Sequence, residues 1–197
     1  VPIQNESRLD IEIVKAIAYM MRVQLRTADL AAWGSAGTDD TKAYQLYVQA
    51  RDILQRYPSS QKVTDAIDLL KRAITIDSKY ALAYAGLGEA YWRKYKLTKE
   101  RPWVDSAVSN CKYAIQLNDH LASIRVAIGV IYRGLGKNAE ALLELGQALS
   151  IDPFNPDVYK ELADVYVATA DSAKAEAMYR KAIELQPRDW TAYNYFG

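Results

Sequence analysis

The feature that most constrains this chain is a recurrence of small, aromatic and proline residues at a fixed spacing. Pro153 and Pro187, Ala141 and Ala175, Ala148 and Ala182, and Tyr132 and Tyr166 each lie 34 positions apart. A period of this size marks stacked supersecondary units and must be recognised before single elements are assigned. Ala107 and Ala114 continue the series by one further step of 34 towards the N-terminus. Ala66 and Ala73 precede that pair by 41, as Gly88 and Tyr91 precede Gly129 and Tyr132, so seven residues are added within 92–105.

Inside a unit the spacing predicts two helices. Ile128, Gly129 and Tyr132 fall on one face of a first helix, and Ala141, Leu145 and Ala148 on one face of a second. Small residues at Gly129, Ala141 and Ala148 let the two backbones approach, while Tyr132 and Leu145 fill the space beside them. Gly136 is suited to ending the first helix at positive φ, and Asp152-Pro153 to ending the second. Two antiparallel helices cannot cover their own outer faces, so successive units must stack.

These residues resemble the tetratricopeptide pattern, W-x₂-L-G-x₂-Y, then A-x₃-F-x₂-A, then P, over residues 41–197. The fourth unit carries it as Tyr159, Leu162, Ala163, Tyr166, Ala175, Tyr179, Ala182 and Pro187. The second reads Tyr84, Leu87, Gly88, Tyr91, Ala107, Cys111 and Ala114, with the insertion and with Asp119 where proline is usual. In the first, Ala66, Leu70 and Ala73 fit the second helix, but Ala43 to Leu54 show no unambiguous register. The resemblance implies an all-α fold, a right-handed α-solenoid of tetratricopeptide helix hairpins with N-terminal capping helices. Its array would span 41–190, with units at about 41–80, 81–121 including the insertion, 122–155 and 156–189. Trp190, Tyr193, Phe196 and Gly197 repeat the opening of a unit, so 190–197 reads as the truncated start of a fifth.

Residues 1–40 are expected to form a helical cap or linker. Leu9, Ile13, Ile17, Met20 and Met21 recur at helical steps, and Thr27 can cap a short helix over 28–33. These helices either cover the open start of the solenoid or belong to a further domain. The chain begins at Val1 rather than methionine, as a fragment of something longer would. The short helix followed by Ala43-Tyr44-Gln45-Leu46-Tyr47 and Ala50-Arg51 resembles the repeat region fused to bacterial serine/threonine kinases or adenylate cyclases. That resemblance implies the sensory or docking part of a signalling protein, although no kinase motif occurs in the chain.

Chemistry is sought and not found. Gly134-Leu135-Gly136-Lys137 lacks the earlier glycine and the following Ser or Thr of a phosphate loop, since Ile131 and Asn138 stand there. Ser59-x-x-Lys62 has no companion motifs. His120 is the only histidine and Cys111 the only cysteine, too few for a soft metal site, and Cys111 occupies a helix-interface position that disfavours a thiolate. The expectation is a non-enzymatic chain with no catalytic, metal or cofactor site. With 25 Lys and Arg against 24 Asp and Glu there is no basic field for nucleic acid. The longest apolar stretch, Ile11 to Val23, is broken by Glu12, Lys15 and Arg22, so direct membrane insertion is not expected. A single cysteine excludes an internal disulfide and leaves cytoplasm and periplasm both open, including for a soluble domain attached to a membrane protein.

The expected function is protein–protein interaction. First-helix residues that do not face the sister helix should line a concave groove for a protein or peptide: Leu82, Ala85, Glu89, Trp92 and Arg93; then Ser123, Val126, Val130 and Arg133; then Asp157, Lys160 and Asp164. Such a groove is apolar in the middle and acidic towards its C-terminal end, suiting a segment with an apolar and a basic residue. Asp164 stands where a clamp for chaperone carboxylates needs asparagine. The insertion is read as a loop in which either Lys94, Lys96, Lys99 and Arg101 face solvent while Trp103 packs back on the helices, or the five together dock an acidic partner. The alternative function is a structural homo-oligomerisation scaffold, with self-association through the truncated C-terminal end.

Overall fold

The computed structural model describes residues 37–56 and 59–187; the expected N-terminal cap helices and the start of a fifth unit lie outside the described residues. Eight helices follow one another among the described residues: α1 (Thr41–Arg56), α2 (Ser60–Ile76), α3 (Ala81–Thr98), α4 (Pro102–Leu117), α5 (Ala122–Gly134), α6 (Asn138–Ile151), α7 (Pro156–Ala168) and α8 (Ser172–Leu185). They pair as four antiparallel hairpins, and each first helix also contacts the first helix of the next hairpin. The architecture is an all-α repeat solenoid.

Local chemistry sets the helix ends. Asp40 Oδ1 accepts from the backbone N–H groups of Lys42 (2.8 Å) and Ala43 (2.9 Å) at the start of α1. Ser59, Asn155 and Asp171 cap α2, α7 and α8 in the same way. Pro102 and Pro156 occupy first-turn positions, where a missing N–H costs nothing. Three of the hairpins turn through a left-handed residue after the first helix: Lys99 (φ 61°), Gly136 (φ 73°) and Ala170 (φ 58°). At Gly136 its N–H donates to the Arg133 carbonyl and Lys137 N–H to the Tyr132 carbonyl, both at 2.9 Å. Ala170 and Asp171 repeat that pair of bonds onto Val167 (3.0 Å) and Tyr166 (2.9 Å).

The core is the predicted stripe of small and large residues. Ala66, Ala73, Ala107, Ala114, Ala141, Ala148, Ala175 and Ala182 are all buried, with Leu70, Cys111, Leu145 and Tyr179 at the larger site between each pair. Within a hairpin, close approach is tightest at Gly88, where an added Cβ would lie 2.3 Å from Cys111 Sγ and 2.9 Å from the Ala107 carbonyl oxygen. Only hydrogen fits between α3 and α4 there. Burial pushes the Cys111 thiol well above its ordinary pKa, so it is a packing group. His120 is an exposed residue beside Asp119, so it shares no buried site with that thiol.

One expectation is corrected. The seven added residues do not make a loop. α3 has 18 residues against 13 in α5, and α4 has 16 against 14 in α6, while the connecting turns, 99–101 and 135–137, are equal. Lys94 and Lys96 are therefore helical. The added stretch Lys94–Thr98 contains no glycine or proline to stop α3, and Pro102 starts α4. Aromatic packing holds the extension: Trp103 stacks on Tyr91 (ring centroids 5.6 Å, 14°) and Tyr95 on Trp92 (5.2 Å, 28°).

Candidate functional site

Successive first helices line one groove of about 540 Å³. From α3 come Leu82, Ala85, Glu89, Trp92 and Arg93, from α5 Ser123, Val126 and Val130, and from α7 Asp157 and Lys160, all of them anticipated from helical geometry. Trp92 is only 5% exposed, so it forms wall rather than a projecting hook. It presses on the end of α5: a Cβ at Gly134 would lie 2.1 Å from the indole. Gly134 thus receives the side chain that the extended second hairpin supports.

Two anticipated residues stand beside the groove instead of lining it. Arg133 Nη2 lies 2.8 Å from Glu161 Oε2 and 3.2 Å from Asp164 Oδ2. Asp164 also accepts from the Tyr179 hydroxyl at 2.6 Å. It is an internal tie between α5, α7 and α8, and the expectation that it offers charge to a basic ligand loses its support. Burial raises the Glu161 carboxyl above the usual carboxylate range, while Arg133 pulls it down.

The five residues assigned to a docking loop are dispersed. Lys94 Nζ donates to Thr64 Oγ1 (2.7 Å) and Ser60 Oγ (3.3 Å), tying α3 back to α2. Lys96 lines the groove. Lys99 occupies the left-handed turn, its ammonium 5.8 Å from the Tyr95 ring centroid. Arg101 is exposed just before α4, and half-buried Trp103 donates from Nε1 to Glu100 Oε2 at 3.0 Å.

Sequence reasoning missed a wall of the groove. Tyr47, Arg51 and Gln55 of α1 line it. Their four-residue spacing, set against the buried stripe Ala43, Leu46, Ala50 and Leu54, was the available signal. Arg51 Nη1 lies 2.7 Å from Glu89 Oε2, and Arg93 Nη2 lies 2.7 Å from Glu89 Oε1, so one carboxylate joins arginines of two units. Among the described residues no three His, Cys, Asp or Glu side chains converge as metal ligands, and no helix is long and apolar enough to cross a membrane.

A family model described as TPR repeat matches residues 55–94, and one described as Tetratricopeptide repeat matches residues 132–196, together just over half of the chain. The chain is a tetratricopeptide repeat protein. A search of curated protein sequences finds no significant match. Among solved structures, this tetratricopeptide protein is similar to a thermophilic TPR protein of Thermus thermophilus, with 25% identity and a TM-score of 0.72 over 98% of this chain and 96% of that one. It also resembles PilF of Pseudomonas aeruginosa, at 20% identity and TM-score 0.63 over 77% of this chain and 64% of that one. A third is the first TPR of Spaghetti (RPAP3) bound to the HSP90 peptide SRMEEVD, at 22% identity and TM-score 0.53 over 68% and 98%. Tetratricopeptide arrays generally mediate protein–protein interaction, and the fold is typically non-catalytic.

Proposed function

We propose that this chain is a docking module that holds a segment of a partner protein in the groove along its first helices and catalyses no reaction. The observation that carries this reading is the groove itself, walled by four successive first helices, with half-buried Leu82, Val126 and Val130 beside charged side chains. Its lining includes neither histidine nor cysteine. An extended or helical segment can lay an apolar side chain on those three residues and run along the array. The resemblance of the Ala43–Arg51 stretch to repeat regions of bacterial kinases and cyclases supports placing the module in a bacterial signalling protein, as its docking or sensory part.

Panning a random peptide library on the native chain tests the reading. Peptides selected this way are expected to crosslink to α3 and α5 and to lose binding to a folded Val126→Asp variant. Selected peptides that bind both proteins equally reject the groove as the docking site.

A further inference from the structure

The charges along the groove do not cancel. On the α1–α3 side Glu89 faces two guanidinium groups, one on each carboxylate oxygen, at 2.7 Å each. Lys96, three residues beyond Arg93, lines the same groove and has no ion-pair partner among the described residues. The α1–α3 wall therefore carries three cations and one carboxylate, Glu89, with Glu161 of α7 acting on Lys96 from the far side of the groove. Burial, then Arg93 and Arg133, lower the pKa of Lys96 against the opposing pull of the Glu89 and Glu161 carboxylates. The α7 side has the opposite balance. Arg133 is taken up by Glu161 and Asp164, and Lys160 lies 3.8 Å from Asp157. A ligand carboxylate is attracted at α3 and repelled at α7.

Resting on the docking reading above, we infer that the segment held in the groove is acidic, with an internal Asp or Glu side chain set against Lys96 and Arg93 and a neighbouring apolar side chain on Leu82 and Val126. The carboxylate supplies the anion that the α1–α3 wall lacks and leaves the Glu89 bridge in place. It belongs to a side chain rather than a chain end because α3 lies between α1 and α5, so a segment following the groove continues past Lys96 on both sides. Lys96 is exposed and makes no hydrogen bond or ion pair within the described residues, which leaves its ammonium available to a ligand.

The test uses two short peptides, capped at both ends, with one leucine-alanine framework that carries glutamate in the first and lysine in the second. Each is titrated into the isotope-labelled chain at low salt, with groove resonances followed by NMR. The glutamate peptide is expected to bind about tenfold more tightly than its lysine counterpart, and Lys96→Glu to weaken it by about tenfold. Lys112→Glu, an equal charge change on the exposed side of α4, should alter affinity less than about twofold. Equal or stronger binding of the lysine peptide in the groove overturns the inference and leaves the docking reading standing. So does an equal loss in both variants. A third peptide, the glutamate sequence with a free C-terminus, is titrated alongside, and binding by that form alone overturns the assignment to an internal side chain. Failure of all three peptides to shift groove resonances overturns the inference, while the docking reading stands or falls on the library panning.

Discussion

The second and third hairpins follow one plan, yet the second has seven more residues and spends all of them on helix. Five lengthen α3 and two lengthen α4, while the turn keeps its three residues and its left-handed corner. The shorter hairpin needs no further support at that end. The longer one carries its own, with Tyr91 against Trp103 and Trp92 against Tyr95. The two are also fitted to each other, since Gly134 closes α5 where Trp92 of α3 leans on it. An addition beside a helix end, made of residues that tolerate helix, prolongs the helix and then demands packing of its own.

The strongest way to break this comparison is to remove the shared side chain. Trp92→Ala takes out the stack of the second hairpin and the contact to the third, and should cost about 3–5 kcal/mol in urea unfolding. A loss below about 1 kcal/mol would show that the indole is not a structural wall. Deleting the added residues 94–98 and 102–103 should shorten both helices without changing the turn. It removes two aromatic contacts and should lower stability by roughly 1–3 kcal/mol, read from the same unfolding curves. An unchanged midpoint would mean that the extension is idle. The smallest effects come from the corners. Gly136→Ala places a side chain at φ 73° and should cost about 1 kcal/mol, whereas Ala170→Gly relieves φ 58° and should gain roughly 0.5–1 kcal/mol. Thermal midpoints moving in the same direction for both variants would contradict the shared geometry of the two turns.

The stacking of the hairpins was legible because small residues at Gly88, Gly129 and the paired alanines are demanded by backbone approach, which leaves no alternative side chain. The groove was legible in α3, α5 and much of α7 for a related reason: once the inward stripe is fixed, the remaining faces of a helix follow from its pitch. α1 was opaque because Ala43, Leu46 and Ala50 carry no glycine or tyrosine landmark to set the register against the other units. The extension was misread because a run such as Lys94-Tyr95-Lys96 has the composition of a loop as well as of an exposed helix. Only the partners of Tyr95 and Trp103 in three dimensions decide between them. Asp164 shows a further limit, since its ties to Arg133 and Tyr179 span two other helices.

Because the hairpins among the described residues pack mainly against their neighbours along the chain, the array behaves mechanically as a short spring. The interior of a hairpin is stiff, since Gly88 against Cys111 leaves no slack for its helices to part. The seams between hairpins are softer, and a small tilt at each adds to the next. The width of the groove is thus set by an accumulated curvature, and its first and last walls can spread or close with no hairpin changing its internal form.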